Sequence, residues 1–152
     1  MPDIFSINEL KSTISTGQRL LGLDIGSKTI GLALSDTTLM IATPMETIKR
    51  TKFKVDAARL QEIVEKQNVG GFVLGWPINM DGSEGPRCQS TLAFSENLAN
   101  VIPLPQALWD ERLSTAAVER TLIEADRSRA RRKQLVDKMA AAYILQGALH
   151  AL

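Results

Sequence analysis

At 152 residues, 44% of them hydrophobic, the chain has the length of one ordinary domain and enough apolar side chains to fill a single core. Its formal net charge of +1 excludes attraction to an anionic polymer through total charge, so any such attraction has to come from where the positive charges sit. A lone cysteine, Cys88, can build neither an internal disulfide nor a thiolate metal cluster, and reads as a small buried or loop thiol.

The first 18 residues lack the basic start and continuous apolar run of a signal peptide, and no later stretch reaches the roughly 20 apolar residues of a membrane span. A cytoplasmic protein without a membrane partner is expected. Residues 6–13, SINELKST, predict a short capped helical turn, so residues 1–18 read as an N-terminal arm ahead of a domain spanning 19–152. Residues 19–26 (RLLGLDIG) and 29–36 (TIGLALSD) are short apolar runs joined by a Gly-Ser-Lys connection and predict a hairpin. A third strand is expected over 39–48, with Pro44 forcing an edge or a bulge.

Helical spacing follows over 52–67, then a strand over 70–75 and the turn-rich loop WPINMDGSEGPR. The pattern continues with a helix at 84–100, a strand at 102–109 and helices at 114–126 and 133–152. Strands first, then alternating helix and strand, predict a mixed α/β sheet covered by helices.

Three acidic features stand out. Asp24 ends the first strand, where period-two alternation sets Leu21, Leu23 and Ile25 on one face and Leu20, Gly22, Asp24 and Gly26 on the other. Glycines around a carboxylate leave room for a metal or a phosphate. Asp110 and Glu111 close the strand ending in LWDE, just before Arg112 and a Ser-Thr pair that can cap a helix. Asp137 falls at the centre of a helical stripe with Ala140, Ala141, Ile144, Leu145, Ala148 and Ala151. A carboxylate facing an apolar side needs a cation, a donor network or helix N-terminal amides. Joined in space, these groups would make an oxygen-rich site for hard cations such as Mg²⁺ or Mn²⁺, and two such ions about 3.5–4 Å apart suit phosphodiester hydrolysis. The one histidine, His150, lies far from these motifs and reads as surface or packing.

The segments LGLDIGSKTIGLALSD, GWPINMDGS, WDERLST and LVDKMAAAYILQ resemble the YqgF (RuvX) family of ribonuclease H-like bacterial nucleases, over about residues 20–149. The resemblance implies an α/β, ribonuclease H-like fold, a mixed five-stranded sheet with helices on both faces. It implies a hydrolase acting in ribosome biogenesis, maturing the 5′ end of 16S ribosomal RNA, with Holliday junction resolution in DNA as the alternative. The family's aspartates fall on Asp24 and Asp137 and its acidic pair on Asp110 and Glu111, with Glu111 preferred as ligand. Asp24, Glu111 and Asp137 are thus the candidate catalytic set. Gly75, Pro77, Asn79, Asp81 and Gly82 match the loop beside the site, with Trp76 where leucine is more usual.

On the substrate side, Arg127, Arg129, Arg131, Arg132 and Lys133 supply five basic residues among the seven of RSRARRK. A flexible cationic flap making phosphate contacts is expected there. Lys28, Asn79 and Arg112 are further candidate nucleic-acid contacts. Two other classes compete: an ATP-binding module of the actin and sugar-kinase type, because Asp24, Gly26, Lys28 and Thr29 resemble its first phosphate loop, and a non-catalytic RNA-binding assembly factor. RNA and branched DNA present the same phosphates, and a monomer and a homodimer are both compatible with the sequence.

Overall fold

The computed structural model describes residues 4–79, 81–113 and 129–152, with side chains described for 6–79, 81–112 and 138–152. The strands are β1 (Ile4–Phe5), β2 (Arg19–Ile25), β3 (Thr29–Ser35), β4 (Ala42–Lys49), β5 (Val69–Trp76) and β6 (Gln106–Asp110). They form one sheet in the order β1-β6-β5-β2-β3-β4. The five expected strands are β2 to β6, and the two-residue β1 adds a short parallel partner at the outer edge of β6. Pairing is antiparallel for β2 with β3 and for β3 with β4, and parallel for β2 with β5 and β5 with β6. The sheet is therefore mixed.

Pro44 acts as its chemistry requires. It lies on the edge strand β4, and the register shifts there: Glu46 faces Leu32 and Pro44 faces Ala33, leaving Met45 as the extra residue of a bulge. Helix α1 (Ile7–Thr13) is capped by Ser6, whose hydroxyl accepts from the Glu9 amide at 3.3 Å and donates to the Glu9 carboxylate at 3.0 Å. Its Leu10 is fully buried against Gly71 of β5.

Helix α2 (Phe53–Gln67) and helix α3 (Pro86–Val101) cover one face of the sheet. Proline opens α3 at a position where the missing amide hydrogen has no helical partner to lose. Their core joins Leu60, Ile63, Phe94 and Leu98 to Leu21, Leu23, Phe72 and Leu74 from the strands. The other face lies under helix α4 (Arg129–His150), which sets Ala140, Ala141, Ile144, Leu145 and Ala148 against Leu20, Ala33 and Val73. Helices thus lie on both faces, as expected.

Two boundaries differ most from the sequence reading. Strand β6 starts at Gln106 and not at 102, because Ile102 caps α3 with its amide on the Leu98 carbonyl at 2.7 Å and Pro103 and Pro105 have no amide to donate. Helix α4 starts at Arg129, so Arg129, Arg131, Arg132 and Lys133 sit on helical backbone and not in a flexible flap. Arginine, alanine and lysine are strong helix formers, and the stretch holds no glycine or proline to stop the helix. Arg127 and the helix expected at 114–126 lie outside the described residues.

Candidate functional site

Asp24 is the next-to-last residue of β2 and is 3% exposed. Two residues earlier, Gly22 faces α4: a Cβ there would lie 2.8 Å from Leu145 Cβ and 3.2 Å from the Ala141 carbonyl oxygen. Alternation carries Asp24 onto that same face. Its antiparallel neighbour on β3 is Gly31, and the parallel register of Leu23 with Leu74 places Gly75 at the next step on β5. Glycines therefore flank the carboxylate on both neighbouring strands, about 4.8 Å to either side.

Gly75 does more than leave space. A Cβ on it would meet Glu111 Oε1 at 2.7 Å and Ile144 Cδ1 at 2.6 Å, so the Glu111 carboxylate lies directly over the bare backbone of β5, under α4. Glu111 is 7% exposed and opens the 3₁₀ turn Glu111–Leu113 that follows β6. The structure thus brings Asp24 and Glu111 to adjacent strand positions on one sheet face. A cation faces Asp24: Arg87, in the first turn of α3, holds its Nη2 3.9 Å from Asp24 Oδ1 while its side chain stays half exposed.

Asp110 is differently engaged. Its carboxylate receives the Arg112 amide at 2.9 Å, Nε at 3.1 Å on each oxygen and Nη2 at 2.8 Å. The guanidinium holds the Asp110 carboxyl below the ordinary carboxylate range. Both oxygens are committed to Arg112, whose Nη1 in turn lies 3.6 Å from where a Gly82 Cβ would stand.

The loop after β5 closes on itself. The Asn79 side chain donates to Ser83 Oγ at 3.0 Å, the Asn79 amide donates to the Ser83 carbonyl at 2.9 Å, and Gly82 at φ +90° turns the chain back. Asp81 accepts from the Ser83 hydroxyl and amide, which lower its pKa. Asn79, expected as a substrate contact, here braces the loop. Trp76 is half-buried beside Asp110 in the β5–β6 register, and Lys28 is exposed in the β2–β3 turn. Cys88 is buried, which pushes its thiol pKa up, and His150 is exposed at the end of α4.

The backbone of α4 sets Asp137 one helical turn before Ala141, the residue whose carbonyl borders Gly22. The side chains of Asp137, Arg129, Arg131, Arg132 and Lys133 lie outside the described residues. Among the described residues no three histidine, cysteine or acidic side chains gather into a metal cluster.

Sequence reading missed Arg50, between β4 and α2. Its Nη1 donates to the Gly26 carbonyl at 2.7 Å, its amide donates to the Lys28 carbonyl at 2.8 Å, and its guanidinium lies 5.5 Å from the Phe94 ring centre. The turn that follows Asp24 is thereby tied to the α3 face. The run KRTKFK was the available signal.

The model of the family described as "RuvX: Holliday junction resolvase" matches residues 18–151. A protein of Paramagnetospirillum magneticum with the description "Putative pre-16S rRNA nuclease" is 65% identical over 141 residues, 93% of this chain and 91% of the relative. One of Methylocella silvestris with the same description is 55% identical over 150 residues, 99% of this chain and 93% of the relative. Among solved structures, T. thermophilus RuvC in complex with a Holliday junction substrate aligns with a TM-score of 0.56 at 17% identity, over 88% of this chain and 94% of that one. At that identity the likeness is one of fold. No helix among the described residues is long and apolar enough to cross a membrane.

Proposed function

The chain belongs to the RuvX family, and we propose that it is a metal-dependent nuclease that hydrolyses phosphodiester bonds, processing the 5′ end of pre-16S ribosomal RNA in ribosome biogenesis. One observation carries this reading: Asp24 and Glu111, both buried, meet on one sheet face over the glycine backbone of β5. Two carboxylates out of water are costly unless a cation offsets them.

The residues fit a hard divalent cation, Mg²⁺ or Mn²⁺, because the side chains converging here offer oxygen donors and no sulfur or imidazole. Asp24, Glu111 and Asp137 would hold it, Asp137 from α4. When bound, the metal supplies a water nucleophile at neutral pH and charge neutralisation on the leaving oxygen. The chain's own residues do the rest. Gly75 leaves the room in which the Glu111 carboxylate lies on the sheet face of Asp24, and Gly31 sets no side chain beside Asp24 on the other neighbouring strand. Arg87 offsets the Asp24 charge and stands exposed enough to meet a phosphate oxygen as well. Asp110 aims Arg112 at the loop of Gly82, and is assigned a positioning role in place of a ligand role.

Residues 19–152 are read as the nuclease domain and residues 1–18 as an arm. The working partner is nucleic acid, contacted further by Lys28, Arg112 and Arg127 to Lys133, in a cytoplasmic monomer or homodimer. A second reading, resolution of four-way DNA junctions, follows the family's description. The test incubates the protein with pre-16S ribosomal RNA and with a four-way DNA junction in matched Mg²⁺ or Mn²⁺, beside Asp24→Asn and Asp137→Asn. Cutting of the RNA alone, lost in both variants, is expected. Cutting of the junction alone would transfer the assignment to DNA, and cutting that survives both substitutions would remove the site.

A further inference from the structure

We infer that the β2–β3 turn and the β4–α2 connection form a cationic ledge, built from Lys28, Lys49, Lys52 and Lys54, that binds the phosphate backbone of the nucleic acid a few nucleotides from the cut. The inference rests on the nuclease reading for the identity of the ligand, and on separate residues for its substance.

Residues 49–54, KRTKFK, carry four positive charges in six positions, in a chain whose formal charge is only +1. The topology adds a fifth. Thr29 pairs with Lys49 across β3 and β4, and Arg50 donates to the carbonyls of Gly26 and Lys28, so the turn bearing Lys28 and the segment after β4 are fastened side by side. On the other flank, the buried Asp56 accepts from the Thr51 amide and hydroxyl, each at 3.3 Å, and holds the corner before α2. All four lysines are exposed, and no ion pair joins any of them to an acid among the described residues. Two arginines elsewhere are paired, Arg59 with Glu46 and Arg112 with Asp110, whereas the ledge sets its unpaired lysines close together. Gathering like charges without partners opposes the compact state, and a polyanion is the ligand that reverses that sign.

Register sets the ledge against the acidic site. Asp24, Gly31 and Thr47 lie in one row across β2, β3 and β4, and Gly26, Thr29 and Lys49 form the second row beyond it, past Ile25, Ile30 and Ile48. Lys49 therefore shares the sheet face of Asp24, two strands across and two residues along, or about 10 Å by about 7 Å. Along the axis of a duplex, where each strand advances about 3.4 Å per nucleotide, that offset of about 12 Å spans three or four nucleotides. Phosphate contacts of this kind set register and affinity without reading sequence.

The experiment compares Lys49→Gln/Lys52→Gln with Lys11→Gln/Lys66→Gln, an equal loss of charge on exposed lysines of α1 and of the far end of α2. Binding of fluorescent pre-16S RNA and of a labelled four-way junction is read by anisotropy in a Ca²⁺ buffer across a salt series, without cleavage. The ledge variant should lose about tenfold in affinity near 0.1 M salt, and its slope of log K against log salt should flatten by about 1.5. The control pair should match the wild type. A ledge variant with unchanged slope and affinity overturns the ledge, whether or not the protein cuts. Salt-dependent binding through the ledge by a protein that cuts neither substrate keeps the ledge and sinks the nuclease. Failure of the wild type to bind either nucleic acid overturns both.

Discussion

The sheet face under α2 and α3 is filled by Leu21, Leu23, Phe72 and Leu74, whereas the face under α4 carries Gly22, Asp24, Val73 and Gly75 on the same two strands. Large side chains exclude water and leave no room. Small ones let α4 come down until its backbone carbonyl at Ala141 nearly touches β2, and they leave bare peptide where carboxylates can gather. The first face is packed with large side chains, the second combines a core of its own with the buried carboxylates, and the two alternate residue by residue along one strand.

The sharpest way to break this division is to change charge on the small-residue face without changing volume. Asp24→Asn should lower metal-dependent cleavage on the order of 10⁴-fold while the far-ultraviolet circular dichroism and unfolding midpoint stay near those of the wild type. A large loss of structure in that variant would mean the carboxylate serves the fold and not the reaction.

Next in size comes the choice between neighbours. Supporting partners of a metal site typically cost about 10–100-fold when removed. Glu111→Gln should exceed that range and Asp110→Asn should fall within it, as measured by initial cleavage rates under saturating Mn²⁺. The reverse order would make Asp110 the ligand in spite of its bonds to Arg112.

Adjacent residues on β2 then test volume on the two faces. Leu21→Ala should cost about 2–5 kcal/mol of unfolding free energy through the cavity it leaves, with the folded fraction still cutting at the normal rate. Gly22→Ala should cost about 1–3 kcal/mol and should also slow cleavage, because its new methyl group displaces the helix that bears Asp137. Denaturant unfolding combined with rates per folded molecule separates the two.

The smallest effect lies away from both faces, in the loop between β3 and β4. Asp36 accepts from the Thr38 hydroxyl and from the amides of Ile41 and Met40, and these bonds hold its carboxyl far below the ordinary range. A depressed carboxylate contributes stability above its unfolded value, near 3.9, and loses that contribution as pH falls toward its folded value. Asp36→Asn should therefore lower the melting temperature slightly at neutral pH, and the gap should narrow below about pH 4. Cleavage at pH 7 should not change.

Much of this was legible in the residues because local rules governed them. Period-two alternation set Asp24 on the correct face, and Pro44 announced an edge or a bulge where the structure has both. Which of Asp110 and Glu111 turns in beside Asp24 could not be read from alternation, since β6 ends at Asp110 and Glu111 begins a 3₁₀ turn, where period two no longer tells which way a side chain points. The basic stretch before Asp137 was misread because charge suggested solvated loop while helix propensity, the stronger influence there, ran the other way. In the arm, Ile7, Leu10 and Ile14 keep helical spacing, but no local rule told which surface they would meet, and the fold buries Leu10 fully.

The kink at Met45 has a consequence beyond the active site. Exposed β edges are templates on which a second chain can lay down another strand and start an aggregate. Here one rim of the sheet ends in a two-residue strand too short to guide such growth, and the other carries a proline without a donor beside a break in register. Among the described residues neither rim offers a straight rail of hydrogen-bonding groups, which works against the sheet propagating from copy to copy.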